Sequence, residues 1–377
     1  MRKLIGKPQI LKEVNSSMIE QLVYERGPLT KPDLAKITSL SLPTVSKLVD
    51  ALENSSRLCR AGHSGKGAGR KAVLYETNKN SGCIIVLYYL LGKYRCRIAD
   101  MLNNSLYEAA FPLDGSSSRN AASSTLNAID SLMERAPTKV KAVGVGMPGV
   151  VKSGGLLLGI PQISVWEGFN LEELLYRRYK TKICVENNVK ISAVGYYHTR
   201  LKDKQDNIVY IYVGNGIGAG LIINKQLYRG ASNFSGEIGF MTSLADKTPF
   251  RDYTLQGGFM ETHLGKFVDY AQGDFRKKND PRQRDGFVDI LSMIAADYVA
   301  ILNPEVIVFS GAIFDDTLVE SINRRTARYI PSEIMPLILR DDSDDSGIEG
   351  LVLTCRSCIT TGTQLVRRQG RIRRHVV

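Results

Sequence analysis

LAKITSLSLPTVSKLVDALE, residues 34–53, holds two short runs with helical spacing and a break between them. Leu34, Ala35 and Ile37 supply packing groups for the first run. Thr30 stands where it can cap that helix, with Pro32 and Asp33 in the opening turn. Ser41-Leu42-Pro43 interrupts the pattern, so a second helix is predicted to begin near Pro43. Its inward positions are Val45, Leu48, Val49 and Leu52, which leaves Thr44, Ser46 and Lys47 outside. Helices in this order fit a helix-turn-helix whose second helix enters the major groove of DNA. Thr44 and Ser46 are then candidates for base edges or phosphate, and Lys47 for phosphate. Thr30 joins them as a candidate DNA contact.

The flanks extend this module. Residues 16–27, SSMIEQLVYERG, carry apolar positions on one helical face. After Leu58 the glycines at 62, 65, 67 and 69 oppose a helix, whereas Ala72-Val73-Leu74-Tyr75 reads as a strand. A basic wing followed by a strand is predicted, with Lys66, Arg70 and Lys71 available to phosphates; a solvated hairpin is the alternative. Residues 1–78 contain 13 basic and 7 acidic residues, a net of +6. A winged helix-turn-helix over residues 1–79 is expected, with a protein-binding winged helix or a helical dimerisation module as alternatives.

The remaining composition sets limits. A chain of 377 residues is long enough for two or three domains, and its net charge of +12 invites a polyanionic partner. Five arginines crowd the last eleven residues, in a tail that either touches nucleic acid or is solvated. Of six cysteines only Cys355 and Cys358 are closely spaced, and no second pair or nearby histidine completes a zinc set, so reduced structural thiols are expected. No apolar run reaches the roughly 18 residues of a membrane span. MRKLIGKPQILKEVN at the start lacks a long apolar core or cleavage site, and a cytoplasmic protein is predicted.

From about residue 80 to 377 strands and helices alternate, which predicts an α/β body with ligand groups at strand ends. Strands are predicted in SGCIIVLYYLL, YRCRIADML, KVKAVGVGMPG, KTKICVENN, NIVYIYVGNGIGAGLIIN, PEVIVFSGAI and LRDD. Helices are predicted at 120–134, 171–178, 262–270 and 286–301. Gly214, Gly216, Gly218 and Gly220 either expose backbone N–H groups to phosphate or form a tight hairpin; no Walker-type GK[ST] follows them. Trp166 and Phe169 are expected to pack a loop onto the helix behind them.

The 20-residue opening phrase resembles the winged helix of MarR-like and ROK-type bacterial repressors. Further matches are VGVGMPG at 143–149, PQISVWEGFNLEELL at 161–175, VENN at 185–188, VGNGIGAGLIINKQLYRGASNFSGEIG at 213–239 and LNPEVIVFSG at 302–311. In that order they make the whole chain resemble the ROK family, which contains repressors and sugar kinases. The resemblance implies a body of two actin-like ATPase-type lobes around a cleft. It assigns Asn187 a sugar-hydroxyl contact, makes Glu237 and Glu261 sugar-binding carboxylates, and puts Asn188 at the kinases' catalytic aspartate position.

The departures from that pattern are chemical. Asn188 donates and accepts hydrogen bonds but cannot take a proton from a sugar hydroxyl. Glu186 is the nearest replacement base, though neighbours on an extended segment point to opposite faces. LYYLLGKYR at 87–95 replaces the family's D-x-G-G-T turn and offers no carboxylate for magnesium. Phe240 stands at the zinc- and sugar-binding histidine, and Asp252, Thr254 and Phe259 stand at three cysteines, so no family-type zinc site is expected. Gly146, Pro148 and Gly149 can shape the cleft, and Lys152 alters its charge. The expectation is a cofactor-free, non-enzymatic repressor, a homodimer or higher oligomer, binding pseudo-palindromic operator DNA under control of a sugar-related or polyol effector. The alternatives are an ATP-dependent sugar kinase with a DNA-binding head, or a repressor that senses a protein.

Overall fold

Proline at residue 8 opens the first helix of the computed structural model, which describes residues 8–360 except 65–70, 153, 160, 203, 243–257, 271, 273, 278–279 and 344. Helix α1 (Pro8–Arg26) leads through β1 (Leu29–Thr30) into α2 (Lys31–Thr38) and α3 (Leu42–Asn54). Thr30 and Asp33 form a reciprocal capping box on α2, and the Ser41 hydroxyl accepts the Thr44 N–H to cap α3. Ser39, in the left-handed region at φ 57°, ends α2 and turns the chain between them. Strands β2 (Leu58–His63) and β3 (Val73–Thr77) pair antiparallel and β3 also pairs β1, giving a three-stranded wing sheet. Ile19, Val23, Leu34, Val45, Leu48, Val49, Leu52, Leu58 and Tyr75 are buried together at the centre of this head. The sequence pattern did not predict β2, whose Cys-Arg-Ala-Gly run lacks alternation and carries a register irregularity between Arg60 and His63.

The body contains two sheets built to one plan. In the first, β4 (Cys83–Leu90), β5 (Lys93–Asp100) and β6 (Ser105–Pro112) form an antiparallel meander. After α4 (Ser118–Arg135), β7 (Val140–Met147) pairs parallel with β4. A short hairpin, β8 (Val150–Val151) and β9 (Leu157–Leu158), and α5 (Leu171–Tyr179) precede β10 (Lys182–Asn187), which lies parallel to β7. Helix α6 (Asn188–Tyr196) then leaves this sheet and ends in a π-type turn, Tyr197–Leu201.

The second sheet repeats the order. A meander of β11 (Ile208–Val213), β12 (Ile217–Ile223) and β13 (Gln226–Tyr228) is followed by α7 (Phe259–Leu264), the small hairpin β14 (Val268–Asp269) and β15 (Asp274–Phe275), and α8 (Pro281–Leu302). Two parallel strands, β16 (Val306–Ser310) and β17 (Leu337–Asp341), flank α9 (Asp316–Thr326), and α10 (Ser346–Thr360) returns to pack on the first sheet. The expected two-lobed α/β body is therefore present, each sheet having three antiparallel strands extended by two parallel ones. One helical expectation is corrected: the helix in 262–270 begins earlier and stops at Leu264, because the chain turns at Gly265 into β14.

Helices α6 and α10, each following the last parallel strand of its lobe, cross at Gly195 and Gly350. A β-carbon on Gly195 would collide with the Ser346 carbonyl oxygen, and one on Gly350 with the Ile191 carbonyl oxygen. In each case the obstructing carbonyl lies four residues before the partner glycine, so the contact is reciprocal and made by bare backbone. On its other side α6 lies on β12, where a β-carbon at Gly218 would come 3.2 Å from Val189 and one at Gly220 3.1 Å from the Val189 carbonyl. These alternate glycines occupy one face of the strand because a helix sits against it.

Among the described residues no helix is long and apolar enough to cross a membrane.

Candidate functional site

The C-terminal ends of β7 and β10 open onto a cavity of ≈ 50 Å³. Pro148, Gly149, Asn187, Asn188, Phe240, Glu237 and Glu261 are among its walls. All four residues expected to meet a ligand are thus brought together by β10, α6, α7 and the loop after β13.

Asn187 terminates β10 and caps α6. Its side-chain oxygen accepts the Lys190 N–H at 3.0 Å, and its amide donates to the Gly149 carbonyl at 2.8 Å. The VENN phrase therefore has a folding role as well, since it stops the strand and starts the helix. Asn188 accepts the Val189 N–H through its side-chain oxygen at 2.9 Å, while its amide N–H group has no protein partner among the described residues. Glu186 is not part of the cavity wall. It accepts from Arg229 at 2.8 Å and from the Asn187 N–H at 3.1 Å, which removes it as a replacement base.

The electrostatics come from one buried lysine and two half-buried carboxylates. Lys190 is 1% exposed, donates to the Asn233 carbonyl, and lies 3.8 Å from Glu237. Burial pushes the Glu237 carboxyl up to about 7 against the pull of Lys190. Glu261 is also pushed up to about 7, by burial first and then by the charge of Glu237, while the backbone N–H groups of Ile217 and Gly258 oppose the shift. Burial lowers the Lys190 pKa, opposed by Glu237 and Glu186. Burial thus works against the charged form of each member of the Lys190–Glu237 pair. Lys190 was not identified from the sequence, although a lysine inside the apolar run VKISAVG is itself a signal.

Neither phenylalanine supplies a metal donor. Phe240 packs near Phe234 with ring centroids 5.4 Å apart, and Phe259 stacks on His263 at 5.6 Å. Asp252 and Thr254 lie outside the described residues. The residues at Phe240 and Phe259 therefore do not fit the tetrahedral zinc set that the resemblance implies elsewhere in the family. Trp166 is fully buried and meets Phe169 edge-on at 4.8 Å, as loop packing requires, and offers no face to a sugar.

A second cleft of ≈ 220 Å³ lies between the lobes, bounded by Tyr88, Tyr212, Gly214, Gly311, Asp341 and Gly347 among others. The glycine-rich run resolves as the hairpin between β11 and β12, closed by the Gly214 N–H on the Gly216 carbonyl at 2.9 Å. Tyr88, at the end of β4, is buried with its hydroxyl 3.2 Å from Ser192 and its ring against Gly347 and Gly146. It occupies the wall where the D-x-G-G-T turn of the kinases would offer a carboxylate and room for phosphate.

On the head, Lys47 is exposed on α3, and Thr44 and Ser46 are half-buried. The Thr44 hydroxyl is 2.8 Å from that of Ser41. Asp50, an acid on the same helix that sequence reasoning left aside, is ion-paired with Lys31 at 2.5 Å. Thr30 needs correction as a DNA contact: it is 5% exposed, and its hydroxyl is engaged with Asp33 at 2.6 Å, so it orients α2 instead. Lys71 is exposed ahead of β3, and Lys66 and Arg70 lie outside the described residues.

The family model described as "ROK family" matches residues 93–250. The xylose repressor of Bacillus subtilis (strain 168) is 26% identical over 241 residues, 63% of this chain and 62% of its own. The N-acetylglucosamine repressor of Escherichia coli O157:H7 is 26% identical over 242 residues, 62% of this chain and 59% of its own. The chain thus spans about three fifths of the length of these curated relatives. Among solved structures, a ROK family transcriptional regulator described as a homolog of the E. coli MLC protein superposes with a TM-score of 0.76 at 16% identity, covering 93% of this chain and 98% of that one. A ROK hexokinase from Thermus thermophilus gives 0.60 at 19% identity, covering 72% and 97%.

Proposed function

The chain belongs to the ROK family, and from that premise we propose that it is a DNA-binding transcriptional repressor that senses a sugar-related molecule and does not phosphorylate it. The head, residues 1–79, recognises pseudo-palindromic operator DNA with α3 in the major groove. The body, residues 80–377, holds the sensing pocket and joins two or more copies. Relatives named as xylose and N-acetylglucosamine repressors support control of carbohydrate metabolism. The observation that carries the reading is a winged head, with Lys47 exposed on α3, on a kinase-like body whose base position is Asn188. Asn187, Asn188, Glu237 and Glu261 are the effector contacts in this reading; Thr44, Ser46, Lys47, Lys66, Arg70 and Lys71 are the DNA contacts.

A kinase with an attached head is the weaker reading. Phosphoryl transfer needs a cradled nucleotide and an oriented nucleophile, and Tyr88 and Asn188 remove one requirement each. The expected result with Mg-ATP and a panel of sugars is no phosphate transfer, by wild type or by Asn188→Asp. Turnover by the wild type refutes the non-enzymatic assignment; turnover by Asn188→Asp alone removes Tyr88 as an obstacle.

Genome-wide mapping of bound sites, followed by release of the best site in vitro with D-xylose and N-acetylglucosamine as probes, tests the repressor reading. Absence of any specific site defeats it. Lys47→Ala is expected to weaken binding to that site and to reduce the slope of log affinity against log salt by about one unit. An unchanged affinity and slope would exclude a phosphate contact.

A further inference from the structure

Helix α1 belongs to the head on one side and the body on the other. Ile19 and Val23 enter the head core, and Glu20 pairs with Arg57 near the wing. Ser17, Gln21, Tyr24 and Glu25 share a different face, at spacings of four, three and one. The Ser17 hydroxyl donates to the Thr360 carbonyl at 2.5 Å, and Arg356 donates to the Gln21 side chain at 3.2 Å. The Arg356 guanidinium lies 3.3 Å from the centre of the Tyr24 ring. Lys202, just past the π-type turn that ends α6, pairs with Glu25 at 3.0 Å. Both helices that reach this face lead back to the pocket, since α6 starts at its wall and α10 crosses α6 at the glycines.

We propose that Arg356 and Lys202 are the positioning residues through which the state of the pocket sets the placement of the DNA head. This rests on the repressor reading above and names the regulation of its pocket. The Arg356 contact is built to be reversible. The side chain is 2% exposed, has no carboxylate within ion-pair distance among the described residues, and one of its nitrogens lacks a hydrogen-bond partner. A buried cation held by a ring face and carbonyl-type acceptors is weakly favoured over a released one. A modest shift of α6 or α10 therefore tips it.

The test is a mutant cycle on the full chain read in two ways. Asn187→Ala removes the α6 cap and is expected to speed amide exchange across α1 about fivefold and to change operator affinity by a similar factor. In an Arg356→Met, Lys202→Met background the same change is expected to alter both by less than twofold. Lys202→Met alone, which removes one half-buried ion pair, is expected to give half of the logarithmic effect, and Arg356→Lys to restore part of the coupling. Additive effects throughout the cycle, or α1 exchange indifferent to Asn187→Ala, overturn the proposal. Loss of specific DNA binding by the wild type instead defeats the repressor reading, while the exchange measurement still judges the clamp.

Discussion

Gly350→Ala is expected to lower the stability of the protein by at least about 3 kcal/mol, the cost of forcing a crossing apart. Helix propensity alone points the other way, favouring alanine by about 1 kcal/mol inside a helix. Packing wins because the new methyl group would meet backbone, the Ile191 carbonyl and the Gly195 nitrogen at 2.7 Å, and neither can rotate aside as a side chain would. Urea unfolding with tryptophan fluorescence at Trp166 reads the loss directly. A Gly350→Ala variant as stable as wild type would mean that α6 and α10 do not cross as closely as described.

The second large effect is a dependence of stability on pH that runs opposite to ordinary acid denaturation. Glu261 has its carboxyl raised from 4.5 to about 7 by burial and by Glu237. A folded-state value above the unfolded one means that the native protein holds the proton more tightly. Its favourable contribution is therefore complete below pH 4.5 and is lost as pH rises to about 7. Glutamine keeps the neutral shape, so Glu261→Gln is expected to stabilise the protein by about 2–3 kcal/mol at pH 8 and to have little effect at pH 4.5. Glu237 is shifted the same way, but its replacement strands Lys190, which makes Glu261 the cleaner probe. Equal effects of Glu261→Gln at the two pH values would show that its carboxyl titrates normally.

Local rules made much of the fold legible. Thr30, Ser41 and Pro43 marked the two helices of the head because capping and φ restriction act within a few residues. Apolar runs ending in glycine or paired asparagines marked β4, β7, β10, β11 and β16. What local rules missed depended on distant partners. α10 carries glycines at 347 and 350 that read as breaks until the Tyr88 ring is set against the first and α6 against the second. Glu186 looked like the acid of its cluster, and only the position of Arg229, 43 residues away, shows that it is engaged. The family resemblance pointed to Asn187, Asn188, Glu237 and Glu261, which line one cavity, whereas Lys190 needed the fold: whether a lysine snorkels out or is sealed in depends on what covers it. Thr30 was misjudged as a DNA contact because its two available roles, cap and phosphate donor, look identical in sequence.

The reciprocal contact of Gly195 and Gly350 has a mechanical consequence. Interlocked side chains act like gear teeth, so one helix turns against another only by jumping a ridge. Here the two backbones meet without teeth. The joint resists pulling apart, because each helix is pressed against the other at its carbonyls. Beside the crossing, Ile191 of α6 shares one buried cluster with Ile348, Leu351 and Cys355 of α10, so any change in the angle between the helices must be absorbed by those side chains rather than by the crossing point.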